Sequence, residues 1–352
     1  MMQWERIIKE STINWLLEET NPSVRYFTLL DILNKSEEDP EVLAAKRLIP
    51  ESPIARKILR EQNPRGYWGE LANPYHPKYK SSYWTIMMLG QLGMDRTNQN
   101  VAKACEYIFQ FQSVDGGFSS YSKDLALKEY EWFRNKRRKL PSAAQEYAAS
   151  IVHEHEYSCL TGNITAALIR IGYEKDPRVQ KALEWLVKIQ NTDGGWLCPY
   201  WRAHIKDKHG CFYGTICPLE AFSAANMENL KLRTKETAEK GAEFLLMHRL
   251  FKADHHGFKT IKQHWLTLSF PMFTTYNILR GLDVVTKLGY VKDERLTDAR
   301  EALLQKRKRD GTWILENSPI GRMQANIELK GESSKWITLV ALRVLKRLSS
   351  VS

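Results

Sequence analysis

Two kinds of helical pattern alternate along the chain. In VAKACEYIFQF (101–111), VQKALEWLVKI (179–189), ETAEKGAEFLL (236–246) and DAREALLQK (298–306), apolar residues recur every three or four positions with charges on the other side. That spacing predicts half-exposed helices. A second set carries few charges: VRYFTLLDILNK (24–35), SYWTIMMLGQLG (82–93), YSCLTGNITAALIRIG (157–172), CFYGTICPLEAFSAA (211–225), FTTYNILRGLDVVTKLG (273–289) and KWITLVALRVLKRL (335–348). Helices that are apolar nearly all round belong in a core. The Val- and Ile-rich runs sit at helical spacing, so no strand ladder is expected.

Between the two kinds of helix lies a recurring turn: QNPRGYW (62–68), QSVDGGF (112–118), QNTDGGW (190–196) and RKRDGTW (307–313), with a looser copy, DHHGF, ending at Phe258. Anchored on Arg65, Asp115, Asp193, Asp254 and Asp310, the spacings are 50, 78, 61 and 56 residues. The unit is therefore about 50 residues with insertions. Asp opens a tight turn and glycine supplies the left-handed stop after a helix.

Alternating exposed and buried helices joined this way predict an all-α fold, an alpha-alpha toroid of about six inner and six outer helices. Residues 1–352 read as a single toroid domain with a basic insertion at about 119–156. Every loop after a turn leads from an outer into an inner helix. The long ones (119–156, 197–210, 259–270 and 314–332) thus share one face, where functional residues concentrate.

Composition narrows this only slightly. The chain is 43% hydrophobic and 26% charged, as expected for a globular protein with a core. A net charge of +11 favours anionic partners without choosing among a diphosphate, nucleic acid and an acidic membrane surface. The N-terminal MMQWERIIKESTINW has no leader pattern, and no stretch reaches the roughly 20 apolar residues of a span, which predicts a cytoplasmic protein. Five cysteines in such a compartment argue for metal or catalytic roles over disulfides.

Cys159 and Cys211 begin consecutive inner helices, and Cys198 lies in the loop between them. Packed helices lie about 10 Å apart, so their first turns can bring two thiolates near one point and the loop a third. His209 is the simplest fourth ligand for a tetrahedral zinc site, with His204, His153 and His155 as competitors. The bland alternative is small core cysteines and solvated loop histidines. Aromatics at inner-helix starts (Tyr83, Trp84, Tyr157, Tyr213, Tyr276 and Trp336) are candidates to line a hydrophobic pocket, or simply to pack against the turn tryptophans. Arg134, Lys136, Arg137, Arg138 and Lys139 form the dense basic run; no nucleic-acid motif accompanies it, which disfavours nucleic acid as a partner.

The repeated Q-x-x-D-G-G-W turns between paired helices resemble the terpenoid cyclase and protein prenyltransferase superfamily, over about residues 60–350. The resemblance implies an alpha-alpha toroid with an aromatic-lined cavity acting on a hydrophobic molecule, an isoprenoid diphosphate among the candidates. HGCFYG is similar to the prenyltransferase zinc segment, with His209 at the Asp position and Cys211 at the Cys position. The later zinc histidine falls near Met272 and Phe273, neither of which is a ligand, and no D-x-D-D acid motif is present. Asp31, Glu220 and Asp283 in the inner helices are the remaining candidate acids. The competing expectation is a non-catalytic binding or scaffold toroid with structural zinc.

Overall fold

The computed structural model describes residues 8–136, 138–140, 143–200, 204 and 206–349. The helices, in chain order, are α1 (Glu10–Leu16), α2 (Pro22–Phe27), α3 (Pro40–Leu48), α4 (Pro53–Arg60), α5 (Ser82–Gln91), α6 (Gln99–Phe109), α7 (Lys123–Asn135), α8 (Ala144–Glu154), α9 (Ser158–Leu168), α10 (Pro177–Lys188), α11 (Phe212–Ala224), α12 (Leu232–Met247), α13 (Ile278–Lys287), α14 (Thr297–Gln305) and α15 (Lys335–Ser349). The chain forms two compact units. One holds the described parts of Met1–Arg60, Gln91–Met94 and Ala242–Ser352; the other holds those of Glu61–Gly90 and Asp95–Gly241.

In the unit around 61–241, the alternation of patterns becomes an alternation of burial. α5, α9 and α11 are buried at almost every position, whereas α6 and α10 bury one face. The turns join them in one repeated way. The Gln62 amide donates to the carbonyls of Gly66 and, across to the start of α6, Asn100 (3.1 and 2.9 Å). Gln112 does the same to Gly116 and Arg178, and Gln190 to Gly194 and Thr237. The backbone N–H of each turn aromatic donates to a hydroxyl in the next buried helix: Trp68 to Ser82, Phe118 to Thr161 and Trp196 to Thr215, at 2.9 to 3.0 Å. Gly194 sits at φ +86°, and a Cβ there would lie 2.5 Å from the Lys240 carbonyl oxygen, so both backbone shape and close approach require glycine.

The other unit uses the same joint. Trp313 N–H donates to Thr338 Oγ1 in α15 (3.1 Å), and its indole to the Leu303 carbonyl near the end of α14 (2.8 Å). Among the described residues, the helix that follows this turn is α15. α1 seats on the turn, with Thr12 donating to the Asp310 carbonyl (3.0 Å). α13 packs on α15, and α15 on α2.

Three expectations need correction. Residues 273–277 are not helical; α13 starts at Ile278 because Asn277 caps it, accepting from Arg280 N–H (2.9 Å), while the buried Arg280 guanidinium takes the Phe273 and Thr275 carbonyls. The looser fifth turn is a hairpin, Lys252–Ala253 pairing antiparallel with Lys259–Thr260, and its Gly257 has nothing within 4 Å of a Cβ position. Without a helix pressed on that glycine, the tight turn has no tertiary reason to form. A second two-residue strand pair joins Trp313–Ile314 to Ser333–Ser334. The insertion is itself an α-helical hairpin of α7 and α8.

Candidate functional site

α9 and α11 meet backbone to backbone: a Cβ on Gly162 would lie 2.6 Å from the Cys217 carbonyl oxygen. Their first turns are consequently neighbours, as the adjacent-helix argument requires, and a Cβ on Gly214 would lie 3.1 Å from Ser158 Oγ. The thiols of Cys159 and Cys198 lie close enough for each to shift the other's pKa. The neighbouring Cys159 thiol, aided by the Ser158 and Cys159 N–H groups at the α9 N-terminus, holds the Cys198 thiol below its ordinary value. The same pairing, together with burial, pushes Cys159 up.

The other two sequence-predicted ligands, Cys211 and His209, have partners of their own. Cys211 is the N-cap of α11; its Sγ accepts from Gly214 N–H at 3.1 Å, although it lies near enough to Cys159 for their charges to interact. His209 is 88% exposed, with Nδ1 3.7 Å from Asp193 in the turn. His153 stacks on Tyr200 with ring centroids 3.7 Å apart, and His155 Nδ1 is 2.8 Å from the Ile151 carbonyl oxygen. Among the described residues, no three His, Cys, Asp or Glu side chains converge so as to hold an ion.

Two tyrosines lie beside the thiol pair. Tyr75 and Tyr157 both lie close enough to Cys159 and Cys198 for burial and those neighbours to raise their hydroxyl pKa values. Tyr75 and Tyr79 each lie 5.1 Å from Trp84, whose indole donates to the Tyr75 carbonyl (2.7 Å). Lys78 lies over Tyr79 and Trp84 at 5.2 and 5.4 Å. Tyr75 and Tyr79 were not anticipated; the signal was the run PYHPKY (74–79), a short loop dense in rings between a turn and α5.

The remaining candidates occupy varied settings. Tyr83 is fully buried, donating to the Ser119 carbonyl (3.0 Å), and Tyr276 likewise to Leu250 (2.7 Å). Trp336 is buried in the other unit, stacked on Phe270 at 4.5 Å. Tyr213 is half-buried in the first turn of α11.

The inner-helix acids are ion-paired. Asp31 meets Arg343, Glu220 meets Arg170, and Asp283 meets Arg347 at 2.8 Å. Burial alone would raise Asp283, but Arg347 and Arg343 outweigh it and hold the carboxyl below its ordinary value. Glu156 is the opposite case and had no sequence signal. It is 2% exposed, next to the α9 N-cap, with Oε2 lacking a hydrogen-bond partner and His153 Nδ1 3.6 Å away. Burial raises its pKa to about 7.

The basic run caps the α7–α8 hairpin, with Arg137 outside the described residues. Among the described residues, no helix is long and apolar enough to cross a membrane.

Comparison with known proteins follows the repeat. The family model for the squalene-hopene cyclase C-terminal domain matches residues 55–249, more than half of the chain. A lanosterol synthase of Aspergillus fumigatus is 18% identical over 231 residues, covering 62% of this chain; the chain spans 28% of that protein's length. Among solved structures, a protein from Actinoplanes is 13% identical with a TM-score of 0.43, covering 95% of this chain and 90% of that one. The type II terpene cyclase MstE from Scytonema is 13% identical with a TM-score of 0.42, covering 93% and 87%. The family match agrees with the all-α, toroid-class reading of the turns, and on it the chain belongs to the squalene-hopene cyclase C-terminal domain family.

Proposed function

We infer that this chain binds a hydrophobic, isoprenoid-type molecule, with the aromatic and thiol cluster at the starts of α5 and α9 as its contact surface. The observation that carries this reading is that Tyr75 and Tyr157 lie beside Cys159 and Cys198, with Trp84 packed on both Tyr75 and Tyr79. Ring faces with a few directed polar groups suit an apolar chain with one polar end. Family membership supports the substrate class, the curated relative being a lanosterol synthase. Asp31, Glu220 and Asp283 are occupied by arginines, so none of them is free to donate a proton as a cyclase acid would.

Zinc belongs to the same proposal. Cys159, Cys198 and Cys211 would supply three thiolates, provided Cys211 turns from its cap toward the pair, and His209 would have to leave Asp193 to be the fourth ligand. In that arrangement the ion would organise the rim beside the aromatic cluster. The second reading, a non-catalytic scaffold, is favoured by the full burial of Tyr83 and Tyr276 with their hydroxyls spent on carbonyls.

The test is titration with a fluorescent polyprenyl diphosphate analogue, alongside metal analysis of the purified chain. Saturable binding weakened about tenfold by Tyr75→Ala or Tyr157→Ala is expected, each losing about 1.4 kcal/mol of contact. Zinc near one per chain, lost in Cys159→Ala and Cys198→Ala, is expected from the thiol set. No saturable binding would leave the scaffold reading standing; metal-free protein that melts normally would remove zinc.

A further inference from the structure

The hairpin inserted between the second turn and α9 ends in the sequence WFRNKRRKL (132–140), which contains no acidic residue. Among the described residues, Trp132 is the exposed tryptophan, at 53%; the others are buried or half-buried. Cations gather on it: Lys136 Nζ lies 6.0 Å and Arg138 Cζ 5.9 Å from its ring centroid, with Arg138 also 5.0 Å from Phe133. The nearest acid in α7, Glu131, is engaged with Arg134. Glu146 lies in the first turn of α8.

Within the tip, Trp132 meets the Phe133 ring edge to face at 5.0 Å. α7 and α8 are held together outside the tip sequence by Ala126, Tyr130 and Ala148, with Tyr130 and Tyr147 rings 5.5 Å apart. A solvent-facing tryptophan inside a group of cations is complementary to a surface that is apolar beneath and anionic above.

We propose that the α7–α8 tip is a docking element for an anionic lipid bilayer. Tryptophan partitions to the headgroup boundary, and Lys136, Arg138 and Lys139 then lie at the level of acidic headgroups. A bilayer and single-stranded nucleic acid are both anionic, and the ring geometry selects the bilayer. A base stacks by covering a ring face, and the faces of Trp132 are already approached by Lys136 and Arg138, whereas shallow immersion in a bilayer needs no free face. The base of the same hairpin is tied to the start of α9, Ser120 N–H donating to the His155 carbonyl at 3.0 Å. A docked tip would therefore hold the Cys159 rim close to a phase in which hydrophobic molecules dissolve. The inference stands on the tip alone and does not depend on the substrate reading.

The experiment is co-sedimentation of the full chain with phosphatidylserine-containing phosphatidylcholine vesicles and, separately, with pure phosphatidylcholine. Wild type is expected to pellet with the anionic vesicles and to be released as salt rises. Lys136→Glu combined with Arg138→Glu should weaken this at least about tenfold, since each lost cation near a charged surface costs several-fold. Trp132→Ala should weaken it several-fold while the salt dependence persists. Both variants alter exposed positions, and thermal melts matching wild type would show that the fold is intact. Equal pelleting with uncharged vesicles, indifference to both variants, or retention of single-stranded RNA through these residues without vesicle binding would each overturn the proposal.

Discussion

Replacing Glu156 with glutamine isolates a buried carboxyl whose protonation is coupled to folding. Its pKa rises from 4.5 to about 7, chiefly through burial, with Asp115 adding to the shift and Ser113 and Lys188 opposing it. The folded state therefore binds this proton more tightly than the unfolded chain does. The stabilisation is fully present below about pH 4.5 and is lost as pH climbs through about 7. Roughly 2.5 units at about 1.4 kcal/mol each sets a ceiling near ~3 kcal/mol. Glutamine has the shape of the protonated acid and cannot ionise. Thermal melts followed by circular dichroism from about pH 5 to about pH 9 should show the variant gaining on wild type as pH rises, by up to ~3 kcal/mol at the alkaline end. A difference between Glu156→Gln and wild type that stays constant across that range would refute the reasoning, because a group without a shifted pKa cannot give a pH-dependent difference.

Other outcomes follow from the same geometry. Gly162→Ala should cost about 3 kcal/mol or prevent folding, since its Cβ would press on the α11 backbone at Cys217; melting temperature and soluble yield measure this. Gln190→Ala removes the donor to Gly194 and Thr237 and should cost roughly 1–3 kcal/mol, whereas His256→Ala on the exposed hairpin should stay within about 0.5, compared by denaturant titration. Cys211→Ser keeps an N-cap acceptor for Gly214, so the metal-free melting temperature should hold while any zinc content falls; a large loss of stability without metal would show that the cap account is wrong.

Much of the architecture was legible because its determinants are local. Gln112 and Gln190 each stand four residues before the glycine whose carbonyl they bond, and the hydroxyls of Thr161 and Thr215 lie in the first turns of helices already marked by their apolar faces. The fifth turn misled because its glycine is present without a helix pressed on it.

What the chain by itself determined is the succession of exposed and buried helices and the joint between them, since periodicity and turn chemistry act within a few residues of one another. Only the tertiary structure decided where side chains of ambiguous use would go. Cys211 Sγ caps α11 at Gly214, Asp31 meets Arg343 from the far end of the sequence, and Glu156 is sealed beside Gly117 and Trp185. A carboxyl or thiol takes its character from the charges, donors and water around it, and those are supplied by residues distant in the chain.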